Sequence, residues 1–152
     1  MRYRIIAVGK LRRGFYREGC QRYLELLSGL AKVELIETRE PAHGAGERGG
    51  PRLAAELLAA ADGHKVALDE RGISLSTRLL ALRVSALEQL GASRISLLIG
   101  GPDGHHDGLL SAVDESWSLS PLTFSHELAR LVLLEQLYRG EALRAGHPYH
   151  RD

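Results

Sequence analysis

The sequence holds a single cysteine, Cys20, in 152 residues, which excludes an intramolecular disulfide and any zinc site built on several thiolates. Such sparing use fits a reducing compartment, and a cytoplasmic protein is expected. Long apolar runs are missing as well. After Met1 the only apolar stretch is Ile5-Ile6-Ala7-Val8 before Gly9-Lys10, too short for the core of a signal peptide. Nothing approaches the roughly 18–20 apolar residues of a membrane span, so a soluble chain without a membrane partner is expected. An excess of one charge is absent too: 20 Lys and Arg against 19 Asp and Glu leave a net charge of +1, which argues against a globally basic nucleic-acid binder.

What is present describes an ordinary globular domain. Apolar residues make up 44% and charged residues 26%, and the length suits one domain over residues 1–152. Arginine outnumbers lysine, with Arg2, Arg4, Arg12, Arg13 and Arg17 crowded near the start. Coding bias accounts for that richness; a local patch that pairs with phosphates accounts for it equally well.

Apolar patterning predicts strands over Arg2–Val8, Lys32–Thr38, Lys65–Asp69 and Arg94–Ile99, with a short fifth at Trp117–Ser120. Between them lie amphipathic helices over 15–27, 51–61 and from Ser74 or Ser76 to about Leu90, and a short one over 108–115. PAHGAGERGGP, residues 41–51, reads as a Gly-rich linker. A long helix from about Ser125 to Arg144 carries apolar residues over more than half its circumference, which calls for burial on more than one side. In so small a chain another subunit is the expected second surface. Strands alternating with helices make the fold α/β with a mainly parallel sheet.

The run LLIGGPDGHH, residues 97–106, ends an apolar strand in two glycines, a proline, an Asp-Gly and two histidines. It lacks the Gly spacing of a dinucleotide fingerprint, and no Gly-Lys-Ser/Thr or G-x-S-x-G occurs anywhere. Asp103, His105, His106 and Asp107 supply no convincing metal set, and no metal is expected. Two readings stay open for Gly100 and Gly101. A tight turn explains them, and so does the backbone wall of a ligand site at the carboxyl end of a strand. The chain end, GHPYHRD, gathers two histidines, a tyrosine and an arginine. It is either a fraying terminus or a place where His handles a proton, Tyr stacks and Arg holds phosphate.

Five blocks, taken together, carry a family resemblance: AVGKL (7–11), VALDERG (66–72), LLIGGPDG (97–104), WSLSPLTFSHELARLVLLEQLYR (117–139) and HPYHRD (147–152). In this order the chain resembles the ribosomal RNA large subunit methyltransferase H (RlmH) family. These are SPOUT-class enzymes that modify pseudouridine in 23S rRNA, and the resemblance spans essentially the whole chain. It implies an α/β fold with a C-terminal trefoil knot, S-adenosylmethionine as cofactor, a homodimer packed through the C-terminal helix, and the large subunit or assembled 70S ribosome as substrate. It places cofactor contacts on Leu68, on Gly100 and on Leu119, Ser120, Pro121, Leu122, Thr123 and Phe124. On the same footing, His150 is expected to handle the N3 proton of the base while Tyr149 and Arg151 position base and phosphate. Arg130, Arg139 and His147 are the expected RNA contacts. A rival reading keeps the fold without catalysis, as an RNA-binding or ribosome-associated module; another keeps the enzyme and changes its RNA target. The intact Gly100-Gly101 and LSPLTF segments favour the enzyme.

Overall fold

The computed structural model describes residues 1–40 and 50–149, so the linker 41–49 and residues 150–152 lie outside the described residues. Ten elements follow in order. They are β1 (Arg2–Val8), α1 (Gly14–Ser28), β2 (Lys32–Thr38), α2 (Pro51–Ala60), β3 (His64–Ser74), α3 (Thr77–Gln89), β4 (Arg94–Ile99), α4 (Asp107–Ala112), β5 (Glu115–Ser118) and α5 (His126–Arg144). The strands form one sheet in the order β2-β1-β4-β3-β5, and every neighbouring pair is parallel.

Alternation along the strands divides the core in two. Tyr3, Ile5, Ala7, Val66, Leu97 and Ile99 face a layer built by α1, α3 and α5, where Leu27, Val84, Leu133 and Leu137 meet them. Ile6, Val8, Ala67 and Leu98 point the other way, onto Leu53 and Leu57 of α2 and Leu109 of α4. Parallel strands covered on both faces read as near-continuous apolar runs, and β1 and β4 do.

Helix starts follow their capping chemistry. Ser76 and Ser125 accept hydrogen bonds from the backbone N–H groups of Leu79 and Leu128, and Pro51 occupies the first turn of α2. Of the two candidate caps for α3, Ser76 is the one used.

Two elements depart from expectation. β3 runs on to Ser74 instead of stopping at Asp69, because the strand breaks and resumes: Leu68 and Ile73 both oppose Trp117 of β5. Residues 69–72 form the excursion between them. A Cβ at Gly72 would lie 2.5 Å from the Ser116 carbonyl, so only glycine lets the second leg press so close. β5 itself begins two residues early, at Glu115, whose carboxylate accepts from Trp117 Nε1 at 2.7 Å and from Arg83 Nε at 2.9 Å.

Much of the apolar surface of α5 is covered within the same chain, between the sheet and helices α1 and α3, while Leu128, Val132 and Leu143 stay half-buried. None of the large exposed apolar side chains among the described residues belongs to α5; they are Phe15, Ile73, Leu79, Leu82, Leu90 and Leu122. Gly140 is buried, and a Cβ there would meet Leu80 only at an ordinary 3.9 Å.

Candidate active site

Register brings three of the singled-out segments to one edge. Leu68 pairs with Ile99 on one side and Trp117 on the other, so the chain leaves β3, β4 and β5 at adjacent points of the sheet's carboxyl edge. Leu68, Gly100 and the segment Leu119–Phe124 are therefore neighbours in the fold, where open parallel sheets bind ligands.

Side chains tie the three exits together. Asp69 accepts from Arg71 Nε and from the Arg71 backbone N–H, both at 2.9 Å, and these bonds hold its carboxyl below the usual range against the opposing effect of burial. Arg71 also stands 3.6 Å from Asp107 at the start of α4. Thr123 Oγ1 donates to Glu70 at 2.6 Å, fastening the loop after β5 to the excursion in β3. Within that loop Ser120 Oγ accepts from the Leu122 N–H at 2.9 Å, an ST turn that leaves the Leu122 side chain 73% exposed. Among the described residues, the backbone N–H groups of Ser120, Thr123 and Phe124 bond to no other residue.

The glycine turn after β4 closes on itself. Gly104 N–H donates to Gly101 O at 3.0 Å with Gly104 at φ +76°, and a Cβ on Gly100 would lie 3.0 Å from the Gly104 carbonyl carbon. The missing side chain of Gly100 thus makes room for its own turn, whose backbone stays at the carboxyl edge. His105 follows, buried, with Nε2 donating to Leu98 O at 2.9 Å and Nδ1 without a partner among the described residues. Burial pushes its pKa down, so the ring is neutral. His106 caps α4, accepting the Gly108 N–H on Nδ1 at 3.0 Å. The described residues hold no cluster of three or more His, Cys, Asp or Glu suited to a metal.

Below this edge a buried ionic network fixes the first turn of α5. Arg130, 1% exposed, donates through Nη1 to Glu37 at 2.6 Å and through Nη2 to Gly9 O at 2.9 Å. Glu127 accepts the Arg12 backbone N–H. Arg130 is therefore no RNA contact: its guanidinium is enclosed and spent on Glu37 and the β1–α1 loop. Sequence patterning missed this role, because an arginine among leucines on a helix carries no mark of burial.

The remaining candidates stand elsewhere. Tyr149 packs on the Tyr138 ring at 4.5 Å, the Arg139 guanidinium sits 4.9 Å from its ring centre, and its hydroxyl is 3.5 Å from Glu135. Burial and Tyr23 push the Tyr149 phenol up to about 12. Arg139 is paired with Glu135 in turn, and His147 is exposed. At about 1.5 Å per residue, the helical stretch from Ser125 to Tyr138 puts this cluster about 20 Å along α5 from the segment Leu119–Phe124. His150 and Arg151 lie outside the described residues. A wide-open concavity of about 650 Å³ lies at the opposite edge of the sheet, between Met1–Arg2, Ser28–Lys32 and Gly91–Ser93. Open parallel sheets bind ligands at the carboxyl ends of their strands, which favours the other edge.

A three-layer α/β protein with linked loops at the carboxyl edge of a parallel sheet is built to hold a small molecule there. Comparison with known proteins makes the class specific. The family model described as "Predicted SPOUT methyltransferase" matches residues 1–150. A ribosomal RNA large subunit methyltransferase H of Thermus thermophilus is 45% identical over 152 residues, covering 99% of each chain. That of Alkalilimnicola ehrlichii is 42% identical over 157 residues, again covering 99% of both. Among solved structures, a probable methylase family protein from Haemophilus influenzae Rd KW20 superposes with a TM-score of 0.59 at 11% identity. The match covers 99% of this chain and 70% of that one, a likeness of fold alone. The chain belongs to the SPOUT methyltransferase family. Its reaction is methyl transfer, and it binds a methyl donor.

Proposed function

We propose that the chain uses S-adenosylmethionine to methylate N3 of a pseudouridine in the 23S rRNA of the large ribosomal subunit, in the cytoplasm and as a homodimer. The observation that carries this is the convergence of Leu68, Gly100 and Leu119–Phe124 at one sheet edge, in a chain whose full-length relatives bear the name of a large-subunit rRNA methyltransferase. No helix of the described residues is long and apolar enough to cross a membrane.

The edge suits the cofactor. The unspent N–H groups of Ser120, Thr123 and Phe124 offer the donors that an adenine or a carboxylate needs, and Leu68 and Leu122 offer apolar surface to a flat ring. S-adenosylmethionine supplies a methyl group already activated on a sulfonium, so the protein has to orient two reactants and manage one proton. The N3 imide must lose that proton to become a nucleophile. His150 is assigned its removal, and Arg151 the hold on a neighbouring phosphate. A phenol pushed up to about 12 stays protonated at neutral pH, so Tyr149 positions the base and does not act as a proton acceptor. Arg139 and His147 remain the RNA contacts near it.

The C-terminal trefoil knot belongs to the same reading. β5 lies outside β3 although it follows β4, and α5 then returns beneath β4 and between α1 and α3, the kind of reversal a threaded path requires. The activity is tested by incubating the purified chain with S-adenosylmethionine and 70S ribosomes lacking the modification, then digesting the rRNA for mass spectrometry. A methylated pseudouridine is expected; unmodified rRNA would defeat the reading.

A further inference from the structure

The early arginine cluster is divided by the fold. Arg4 turns to Glu34 at 2.8 Å and Asp62 at 3.4 Å and is occupied there. Lys10, Arg12, Arg13 and Arg17 gather instead in the β1–α1 loop and the first turn of α1, all exposed. Among the described residues only Arg12 of these four has a carboxylate partner, Glu40, and its side chain is still 73% exposed; Lys10, Arg13 and Arg17 have none. The first turn of α1 contains no acidic residue. In the midst of these cations Phe15 is 64% exposed, with its ring 4.3 Å from that of Tyr16. An apolar ring left in water among unpaired arginines is costly for a free surface and suited to a partner with stacked bases and phosphates.

Position decides which partner. The loop follows β1 at the carboxyl edge, where Val8 lies 3.3 Å from the Cβ position of Gly101. Its main chain is clamped to α5 by Arg130 on Gly9 O and by Glu127 on the Arg12 N–H, one turn beyond the cofactor segment. We infer that residues 10–17 are a docking surface for ribosomal RNA, in which Lys10, Arg13 and Arg17 bind backbone phosphates and Phe15 stacks on an unpaired base. The clamp holds this surface in fixed relation to Leu119–Phe124, so docked RNA stands over the bound methyl donor. The inference rests on the proposed activity for the identity of the RNA, and its chemistry on the loop alone.

The test measures binding of the full chain to large ribosomal subunits between about 50 and 200 mM salt. The wild-type affinity should fall steeply with salt. Arg13→Glu with Arg17→Glu should weaken binding at least tenfold and flatten the log–log slope by about 1.4–1.8, the share of two phosphate contacts. The doubly conservative Arg13→Lys with Arg17→Lys should keep the slope, and Phe15→Ala should weaken binding about tenfold at unchanged slope. Calorimetry should show S-adenosylmethionine binding within twofold of wild type throughout, which certifies the fold. Wild-type affinity and slope in the charge-reversed and Phe15→Ala variants would overturn the inference, as would a wild-type chain that does not bind the subunit. If the chain docks through this loop yet transfers no methyl group, the docking stands and the proposed activity falls. If the charge-reversed variant methylates normally, the activity stands and the docking falls.

Discussion

Gly100 and Gly104 make one turn together, and their substitutions should fail for different reasons. A side chain on Gly100 meets the Gly104 backbone at 3.0 Å, so Gly100→Val must push the turn outward from the sheet edge. Calorimetry should show at least tenfold weaker S-adenosylmethionine binding with circular dichroism unchanged. Gly104 has open space around its Cβ position but sits at φ +76°, so Gly104→Ala should cost about 1 kcal/mol of stability through backbone strain alone. His105 beside them gives the turn a pH dependence. Burial holds its folded pKa below the ordinary value near 6.5, so in that range the unfolded chain binds more protons than the folded one. The stability due to the neutral ring is complete above about pH 6.5 and is lost as pH falls toward the lowered value. Thermal melts from about pH 8 to pH 5 should fall more steeply for the wild type than for His105→Gln, which retains a donor for Leu98 O. Parallel curves would remove His105 as the cause.

At the scale of elements, α5 acts as the anchor of the site through charges that its leucines conceal. Arg130→Ala leaves the Gly9 carbonyl and the partly exposed Glu37 without their partner and should cost about 1–3 kcal/mol in denaturant unfolding. Arg139→Ala, which removes a partly exposed pair with Glu135, should cost under about 1 kcal/mol. A similar cost for both would mean that the Arg130 network is not buried in solution. The contrast also shows what the sequence could and could not disclose. β1, β4 and α5 were legible because buried parallel strands and a long amphipathic helix leave strong periodic marks, and the three segments that meet at the carboxyl edge stood out by their family motifs. The excursion in β3 was not, because Asp69-Glu70-Arg71-Gly72 reads as a terminating turn and the strand resumes only by pairing with β5, a partner about forty residues on. The same non-local dependence hid the burial of Arg130.

At the scale of the molecule, distance supplies a further argument for the proposed dimer. Tyr149 is held about 20 Å along α5 from the segments that would bind the cofactor, so Tyr149 of one chain stands apart from the expected pocket of the same chain. A second copy can supply the tail instead, and Leu79 and Leu82 leave apolar surface on α3 for such contact. Light scattering should then give twice the chain mass of 16.7 kDa. Complementation tests the sharing itself. A chain truncated after Gly146 keeps its pocket and loses its tail, whereas Gly100→Val keeps its tail and loses its pocket. Each alone should be inactive on ribosomes, the truncated chain still binding S-adenosylmethionine. Unfolded and refolded together in equal amounts, they form mixed dimers as about half the population, each with one pocket facing an intact tail from its neighbour. About a quarter of wild-type turnover should return if the tail works across the dimer. If it works within its own chain, no mixed dimer contains a complete site and the mixture stays as inactive as its parts.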